Sequence, residues 1–430
     1  MVRMPRSKGK KKDGHRRGEA GRAGGASVSN GHLVLPTDED EHHSPDNMST
    51  ISNCSDSTSI CFDAGDVEQD EVDEISAHED FEDKLKDCID GLTQKSAKGR
   101  TDCLKSLKVA LSKKFIPEFV YDRKLTIQDG LERCLKKGKG EEQSVAASCM
   151  CLVFLQLGSS EDTEELYKAT KPTIQTVMLD GSVACKARAA CAQTLGVLTF
   201  IASCELIVVH DVMKALERVF MGSYLKGDGS TPVHAPEVAA MHAAALTAWS
   251  LLLSISPPSV IMNYSDSHLG KLPELLTSND VDVRITTGET IALMYELVRD
   301  EDEDFEGLDY EDLCNTLKKL ATDSNKHRAK KDRRQQRSSF RDILRAVEEG
   351  DSPRVRIKLG LESVAINSWT RKRHYDTLCQ VLGSGMLVHM QENDLVRDIF
   401  GMGAPIPVGL PSQKASKFER HMFNAAAFKA

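Results

Sequence analysis

Five helix openings recur along the chain at nearly one spacing, and this periodicity restricts the fold more than any other feature. Ser96-Ala-Lys-Gly-Arg100 precedes Leu104 and Leu107, Ser182-Val-Ala-Cys-Lys-Ala-Arg188 precedes Ala192 and Leu195, and Asn279-Asp-Val-Asp-Val-Arg284 precedes Gly288 and Ile291. The three arginines stand 88 and 96 residues apart (188 − 100 and 284 − 188), each about twice the 40–47-residue period of armadillo and HEAT repeats. The half-steps are present too. Gly140-Glu-Glu-Gln143 opens a helix containing Ala147 and Met150, 43 residues after Arg100, and Glu237 opens an Ala-rich helix through Trp249 to Leu253, 49 residues after Arg188. The phasing at Glu237 is looser because the Gly227–Pro236 loop intervenes. Helix pairs of this kind cannot bury their apolar faces alone and must stack on their neighbours. Ala146, Ala147, Ala189, Ala190, Ala243 and Ala244 would let neighbouring helices approach closely. An ordinary helical bundle is the alternative; the repeat spacing favours a mainly α, armadillo/HEAT-like superhelix.

Four regions follow from composition. Residues 1–76 form a basic-then-acidic tail: nine Lys or Arg against two acids over 3–22, then twelve Asp or Glu against two Lys over 63–87. Large apolar residues are too sparse there to offset ordering entropy, so the tail is expected to be disordered. Its Lys8–Lys12 and Arg16-Arg17 stretch reads equally as a nuclear localisation signal or a solubilising tail. Residues 77–323 carry the repeats. Residues 324–404 hold a basic helix and a small C-terminal domain, in which Arg354–Leu359 and Val364–Trp369, parted by Gly360-Leu-Glu-Ser363, read as a β-hairpin followed by helices around Arg371–Leu382 and Gly385–Phe400. Residues 405–430 are a Pro/Gly linker and a terminal helix, whose Phe418, Met422 and Phe423 fall at helical steps and form a candidate partner-binding stripe.

The chemistry concentrates between Lys326 and Arg345, where nine of twenty residues are Lys or Arg. Read as a helix, Lys330, Arg334, Arg337, Arg341 and Arg345 share one face, with Lys326 one turn before them. The five make a ridge about 22 Å long at 1.5 Å per residue. Like charges at this spacing repel by roughly 0.2–0.5 kcal/mol per pair, so the ridge implies a polyanion. The polyanion is either another molecule's phosphates or the chain's own Asp300–Asp312 loop, which holds nine acids and no base. Phe340, Ile343, Leu344 and Val347 give the same helix an apolar face, so it is expected to dock with the ridge outward.

Other functional classes find no residues to rest on. Phosphate-loop, nucleophile-elbow, zincin and dinucleotide-binding patterns are absent from the sequence. Lys137-Gly-Lys-Gly140 reads as an inter-helix turn, and Gly383-Ser-Gly385 as a helix stop rather than a phosphate nest. Asp300, Asp302, Asp304 and Glu311 mimic an EF-hand loop, but its obligatory turn position, normally Gly, is Phe305. The twelve cysteines lack any C-x-x-C pair and lie mostly among Leu and Ala, as reduced core thiols. No apolar run approaches the roughly 20 residues that span a bilayer. The expectation is a non-enzymatic intracellular protein with no metal, cofactor, membrane or small-molecule substrate.

Several stretches carry a family resemblance: Glu132–Gln143, Gly288–Leu293, Leu320–Lys330, Arg334–Arg341, Val381–Met386 and Phe418–Lys429. Together they resemble the interferon-related developmental regulator family, in order, over roughly residues 76–430. The resemblance implies an armadillo-like protein that shuttles between nucleus and cytoplasm and regulates gene expression in differentiation. Two routes are implied, namely binding to the ribosome with silencing of translation, and transcriptional co-regulation with histone-deacetylase-containing complexes. Members of the family look to continue past the Ala-Phe-Lys motif into a further basic helix, whereas this sequence stops at Ala430. A ribosome binder would set the ridge on rRNA phosphates. A chromatin co-regulator would use the concave face of the solenoid for a protein segment.

Overall fold

Each expected opening starts a helix; a side chain caps those opening at Ser96 and Asp280, the first turns of those opening at Glu141 and Glu237 are acidic, and the helix starting at Cys185 has neither. In a computed structural model of the chain, which describes residues 70–203, 205–323 and 330–405, with side chains from residue 79, thirteen helices precede a hairpin and three helices follow it. The first are α1 (Asp70–Gly91), α2 (Ala97–Lys113), α3 (Pro117–Asp122), α4 (Lys124–Lys137), α5 (Glu141–Leu157), α6 (Glu161–Leu179) and α7 (Cys185–Ala202). Then come α8 (Leu206–Phe220), α9 (Pro236–Leu253), α10 (Pro258–His268), α11 (Val281–Arg299), α12 (Tyr310–Thr322) and α13 (Lys330–Glu349). The Ser96 hydroxyl accepts from the Gly99 amide at the start of α2, and the Asp280 carboxylate accepts from the Asp282 and Val283 amides at the start of α11. Such caps satisfy donors the helix itself leaves unpaired. The helix at Asp70 corrects the expected tail boundary at residue 76.

Two rows result. Helices α2, α5, α7, α9, α11 and α13 pack consecutively, and α1, α4, α6, α8, α10 and α12 each pack on the member of that first row that follows them. Arg100 of α2 donates to Glu142 of α5 at 2.6 and 3.1 Å, and Arg284 of α11 donates to Gln336 of α13 at 3.1 and 2.6 Å. Two of the three arginines that set the sequence period therefore tie one repeat to the next, whereas Arg188 donates to the Met178 carbonyl of α6 at 2.8 Å, within its own helix pair. Thr194 donates to the Ala147 carbonyl and Gln156 to the Leu111 carbonyl, both between successive first-row helices. Of the expected small residues Ala146, Ala147 and Ala243 are buried and Ala189 and Ala190 pack partly buried against the core, and two glycines add to the close approach. A Cβ on Gly196 would lie 2.6 Å from the Ala248 Cβ, and one on Gly288 would lie 2.8 Å from the Ile343 Cδ1, whereas Ala244 is half-buried.

The hairpin pairs β1 (Val355–Leu359) with antiparallel β2 (Glu362–Ile366), in register from Leu359↔Glu362 to Val355↔Ile366. The expected four-residue loop is a two-residue turn, Gly360-Leu361. Gly360 has φ +62° and the following Leu361 does not have positive φ, the pattern of a type II′ hairpin turn. The second strand stops at Ile366 because Ser368 turns to cap α14 (Trp369–Leu382) by accepting from the Arg371 amide. The single expected helix 385–400 is two, α15 (Met386–Glu392) and α16 (Asp394–Ile399), parted at Asn393. The Asn393 side chain accepts from the Val396 amide and donates to the Leu155 carbonyl.

These last helices lie across the first row, against the direction of the chain. Glu296 of α11 accepts from the Trp369 and Thr370 amides at 2.6 and 2.9 Å, and Glu289 binds Lys372 at 2.7 Å. His374 meets Ser254 of α9, Gln380 meets Gln193 of α7, and His389 meets the Leu111 carbonyl of α2. Gly385 comes so near α2 that a Cβ there would sit 1.6 Å from the Ser112 carbonyl oxygen. The Gly383-Ser-Gly385 segment thus stops α14, as its sequence indicates, and also makes a close approach that the sequence did not show.

Burial keeps three imidazoles neutral. His242, His374 and His389 are each pushed down to about 4, by burial first; His234 and Arg188 add to this at His242, and Arg373 and Arg371 at His374. An unfolded histidine titrates near 6.5, so between about pH 6.5 and pH 4 the unfolded chain binds more protons than the folded one. Stability is then complete above about pH 6.5 and falls as pH drops toward 4. At 1.36 kcal/mol per unit the loss is up to about 3 kcal/mol per histidine. Since His374 and His389 both lie in the crossing helices, amides of 369–392 should lose exchange protection before those of α5 and α7 when pH is lowered from 7 to 5. Equal protection at both pH values would contradict this.

Nine cysteines among the described residues are free thiols, with Cys134, Cys149, Cys151, Cys191 and Cys314 buried. Burial pushes the Cys149 and Cys191 thiols up to about 12, far from the thiolate chemistry of reactive cysteines. Among the described residues no helix is long and apolar enough to cross a membrane, and no group of three or more His, Cys, Asp or Glu is placed to hold a metal ion.

A candidate polyanion-binding face

Helix α13 is fixed by its apolar side. Phe340, Ile343 and Val347 are fully buried, and Gly288 of α11 gives Phe340 and Ile343 their room. Gln336, 1% exposed, receives Arg284 at the N-terminal end. At the other end the Arg299 guanidinium donates to the Ala346 and Val347 carbonyls at 3.0 and 2.8 Å, occupying acceptors that a helix end leaves open. At 100° per residue the buried stripe lies roughly 140° around the helix from the line of expected cations. Accordingly Lys330, Arg334, Arg341 and Arg345 are exposed and Arg337 is half-buried. The structure brings these five together as the sequence placed them. Lys326, and the C-terminal stripe of Phe418, Met422 and Phe423, lie outside the described residues.

The ridge is arranged against its own helix. Cations favour a helix C-terminus and anions an N-terminus, by about 0.3–1 kcal/mol each. Helix α13 begins with Lys330 and Lys331, has Asp332 as the acid of its first turn, and ends with Glu348 and Glu349 and no base. A charge order that opposes the dipole does not serve helix stability.

Nor does the acidic loop neutralise the ridge. Its backbone is held at the far end of α13, where the Tyr295 hydroxyl donates to the Glu306 carbonyl and Arg299 donates to the Phe305 carbonyl. Phe305, at the turn position of the EF-hand mimic, packs its ring 5.6 Å from that of Tyr295. This segment is an anchored loop, not a calcium cradle. Among the described residues the ion pairs of the ridge belong to Arg345 alone, with Asp342 at 2.5 Å and Asp351 at 3.6 Å. Lys318 of α12 pairs with Glu348 on the neighbouring side. Among the described residues Arg334, Arg337 and Arg341 therefore have no carboxylate partner. Exposed pairs of the kind Arg345 makes are worth only about 0–1 kcal/mol and are readily exchanged for phosphate.

Sequence reasoning missed what the crossing helices do. Glu289 and Glu296 stand two turns apart on one face of α11 and both grip α14. Burial opposes the charged form of Glu289, and the Lys372 and Arg373 cations overcome it, holding its carboxyl below the usual range. Glu289 lies within the Gly288–Leu293 stretch, where a carboxylate amid Gly, Ile, Ala and Leu was the signal available.

The chain is similar in structure to a designed armadillo repeat protein (TM-score 0.38, 14% identity, 61% of this chain and 100% of that one) and to an engineered protein (TM-score 0.39, 17% identity, 61% and 98%). In sequence it is 43% identical over 394 residues to human interferon-related developmental regulator 1, covering 91% of this chain and 86% of that protein. It is 44% identical over 362 residues to mouse interferon-related developmental regulator 2, covering 84% and 82%. The family model described as interferon-related developmental regulator matches residues 47–348, and that of the interferon-related protein conserved region matches residues 393–430. The first match includes the whole ridge, and with these relatives it establishes that the chain belongs to the interferon-related developmental regulator family.

Proposed function

We propose that this protein is a non-enzymatic regulator of gene expression in differentiation, moving between nucleus and cytoplasm, that binds the ribosome through α13 and represses translation. The observation that carries the reading is the line Lys330, Arg334, Arg337, Arg341, Arg345, exposed except for the half-buried Arg337, in which Arg334, Arg337 and Arg341 have no carboxylate partner among the described residues. Repelling cations held on a helix anchored by its buried apolar side suit the phosphates of rRNA. Lys326, and the stripe of Phe418, Met422 and Phe423, join the proposal on their sequence alone, the latter as a second, apolar contact with a partner.

The alternative is a nuclear co-regulator whose helical-repeat surface scaffolds histone-deacetylase-containing complexes. It requires the first-row face that a solenoid commonly offers to a partner segment. That face already carries α14 and α15, through contacts reaching from Glu296 of α11 to Leu111 of α2. The ridge needs no such displacement.

The test is sedimentation of the full chain with purified ribosomes at graded salt, with and without RNase. Five phosphate contacts give a log–log slope of about −3.5 to −4.5, so raising salt from about 50 to 200 mM should weaken binding roughly 100- to 500-fold. RNase should release the protein. Association that changes less than about tenfold over this range would point to a protein–protein contact instead.

A further inference from the structure

The cationic line does not end with α13. Arg345 lies 3.6 Å from one carboxylate oxygen of Asp351, and Arg354 donates to the other at 3.1 Å. One carboxylate thus joins the last cation of the ridge to the first cation of the segment entering β1. Beyond Arg354 the chain is extended, and Arg356 and Lys358 follow at alternate positions, both exposed, on the face opposite the buried Ile357 and Leu359. Alternate residues of a strand project on one side about 7 Å apart, a spacing close to that of successive phosphates along a nucleic-acid strand.

The hairpin keeps this face clear of acids. Its register sets Ala365 opposite Arg356 and Ser363 opposite Lys358, short side chains that neither shield nor neutralise them. The carboxylate within the hairpin, Glu362, is held away by Arg397, which donates to both of its oxygens at 3.1 and 2.8 Å. The frame is fixed as well. Arg371 donates to the Ala365 carbonyl, Trp369 donates from its indole to the Asp351 carbonyl, and Ile357, Leu359, Val364 and Ile366 are buried beneath.

We propose that the outward face of the hairpin is a second RNA-backbone site. One RNA backbone then runs from the α13 ridge past Arg354 and onto Arg356 and Lys358. The track measures about 22 Å on the helix and about 14 Å on the strand. The proposal rests on the RNA-binding reading of the ridge.

The experiment measures binding of the full chain to an RNA duplex of about 20 base pairs, longer than the track, over a salt series. It compares Arg356→Ala/Lys358→Ala with Arg334→Glu/Arg337→Glu/Arg341→Glu. Losing two phosphate contacts should weaken binding about 15- to 30-fold at 0.15 M salt and reduce the log–log slope by about 1.5. Both hairpin positions are exposed, so the melting temperature should not move. If the ridge triple weakens binding while the hairpin pair leaves affinity and slope unchanged, the inference is overturned and the ridge reading stands. If the hairpin pair weakens binding and the ridge triple does not, the continuous track is overturned together with the ridge reading. If neither variant matters, both fail.

Discussion

Replacing Arg334, Arg337 and Arg341 by glutamate is expected to weaken ribosome binding about 100-fold or more at physiological salt, with the fold unchanged. A phosphate contact contributes roughly 0.7–0.9 to the salt slope, which at 0.15 M corresponds to about 4- to 5-fold in affinity, or about 50- to 150-fold for three. Reversal adds repulsion, because the outward line goes from five positive charges to two positive and three negative. Stability should be preserved, since the anchors of α13 are Phe340, Ile343, Val347, Gln336 and the Arg299 cap, none of which is changed. A role for the ridge in pairing with the acidic loop makes the opposite forecast: a lower melting temperature, with binding intact. Co-sedimentation at fixed salt, beside a thermal melt of each variant, separates the two. Binding that survives the triple change would remove the ridge from the interface.

The repeats were legible in the sequence because their signals are local. A capping Ser96 or Asp280, a first-turn arginine and apolar residues at three- and four-residue steps all act within one helix or between successive ones. The ridge was legible for the same reason, as a regular spacing on one helix. What escaped the sequence depends on distant partners. Glu289 and Lys372 are 83 residues apart and His389 and the Leu111 carbonyl 278 apart, and although Glu289 stands out amid apolar neighbours, nothing local names its partner. The acidic loop is a candidate partner for the ridge by charge alone, but Arg299 and Tyr295 hold its backbone at the far end of the helix. In the hairpin the alternation of Val355, Ile357 and Leu359 was visible. The turn was read two residues too long because Glu362 and Ser363 look like loop residues, whereas Glu362 is paired with Arg397 and Ser363 faces outward.

Glu289→Gln is expected to loosen the crossing helices without unfolding the repeats. Glu289 binds Lys372 at 2.7 Å and Arg373 at 3.6 Å, with side-chain exposures of 16%, 28% and 5%. Removing one member of a fully buried pair costs about 3–5 kcal/mol, because the other charge is left without a counterion. Here Lys372 keeps Asp376 and is partly open to water, so a loss of about 2–3 kcal/mol is the fitting magnitude. Arg373 loses more: it is 5% exposed, and its Nε already lacks a hydrogen-bond partner. The first-row helices bury their cores against one another, with Arg100–Glu142 and Arg284–Gln336 between them, and none of those contacts passes through Glu289. The damage should therefore stay local, as expected where structural units have separate stabilities. At a factor of ten per 1.4 kcal/mol, amides of α14 and α15 should exchange about 30- to 150-fold faster, while those of α5 and α7 keep their rates. The opening would uncover the first-row face that these helices occupy, making the variant a probe of whether a protein segment can take their place. Unchanged exchange in α14, or a uniform increase through α5 and α7, would show that the crossing helices and the repeats are one cooperative unit.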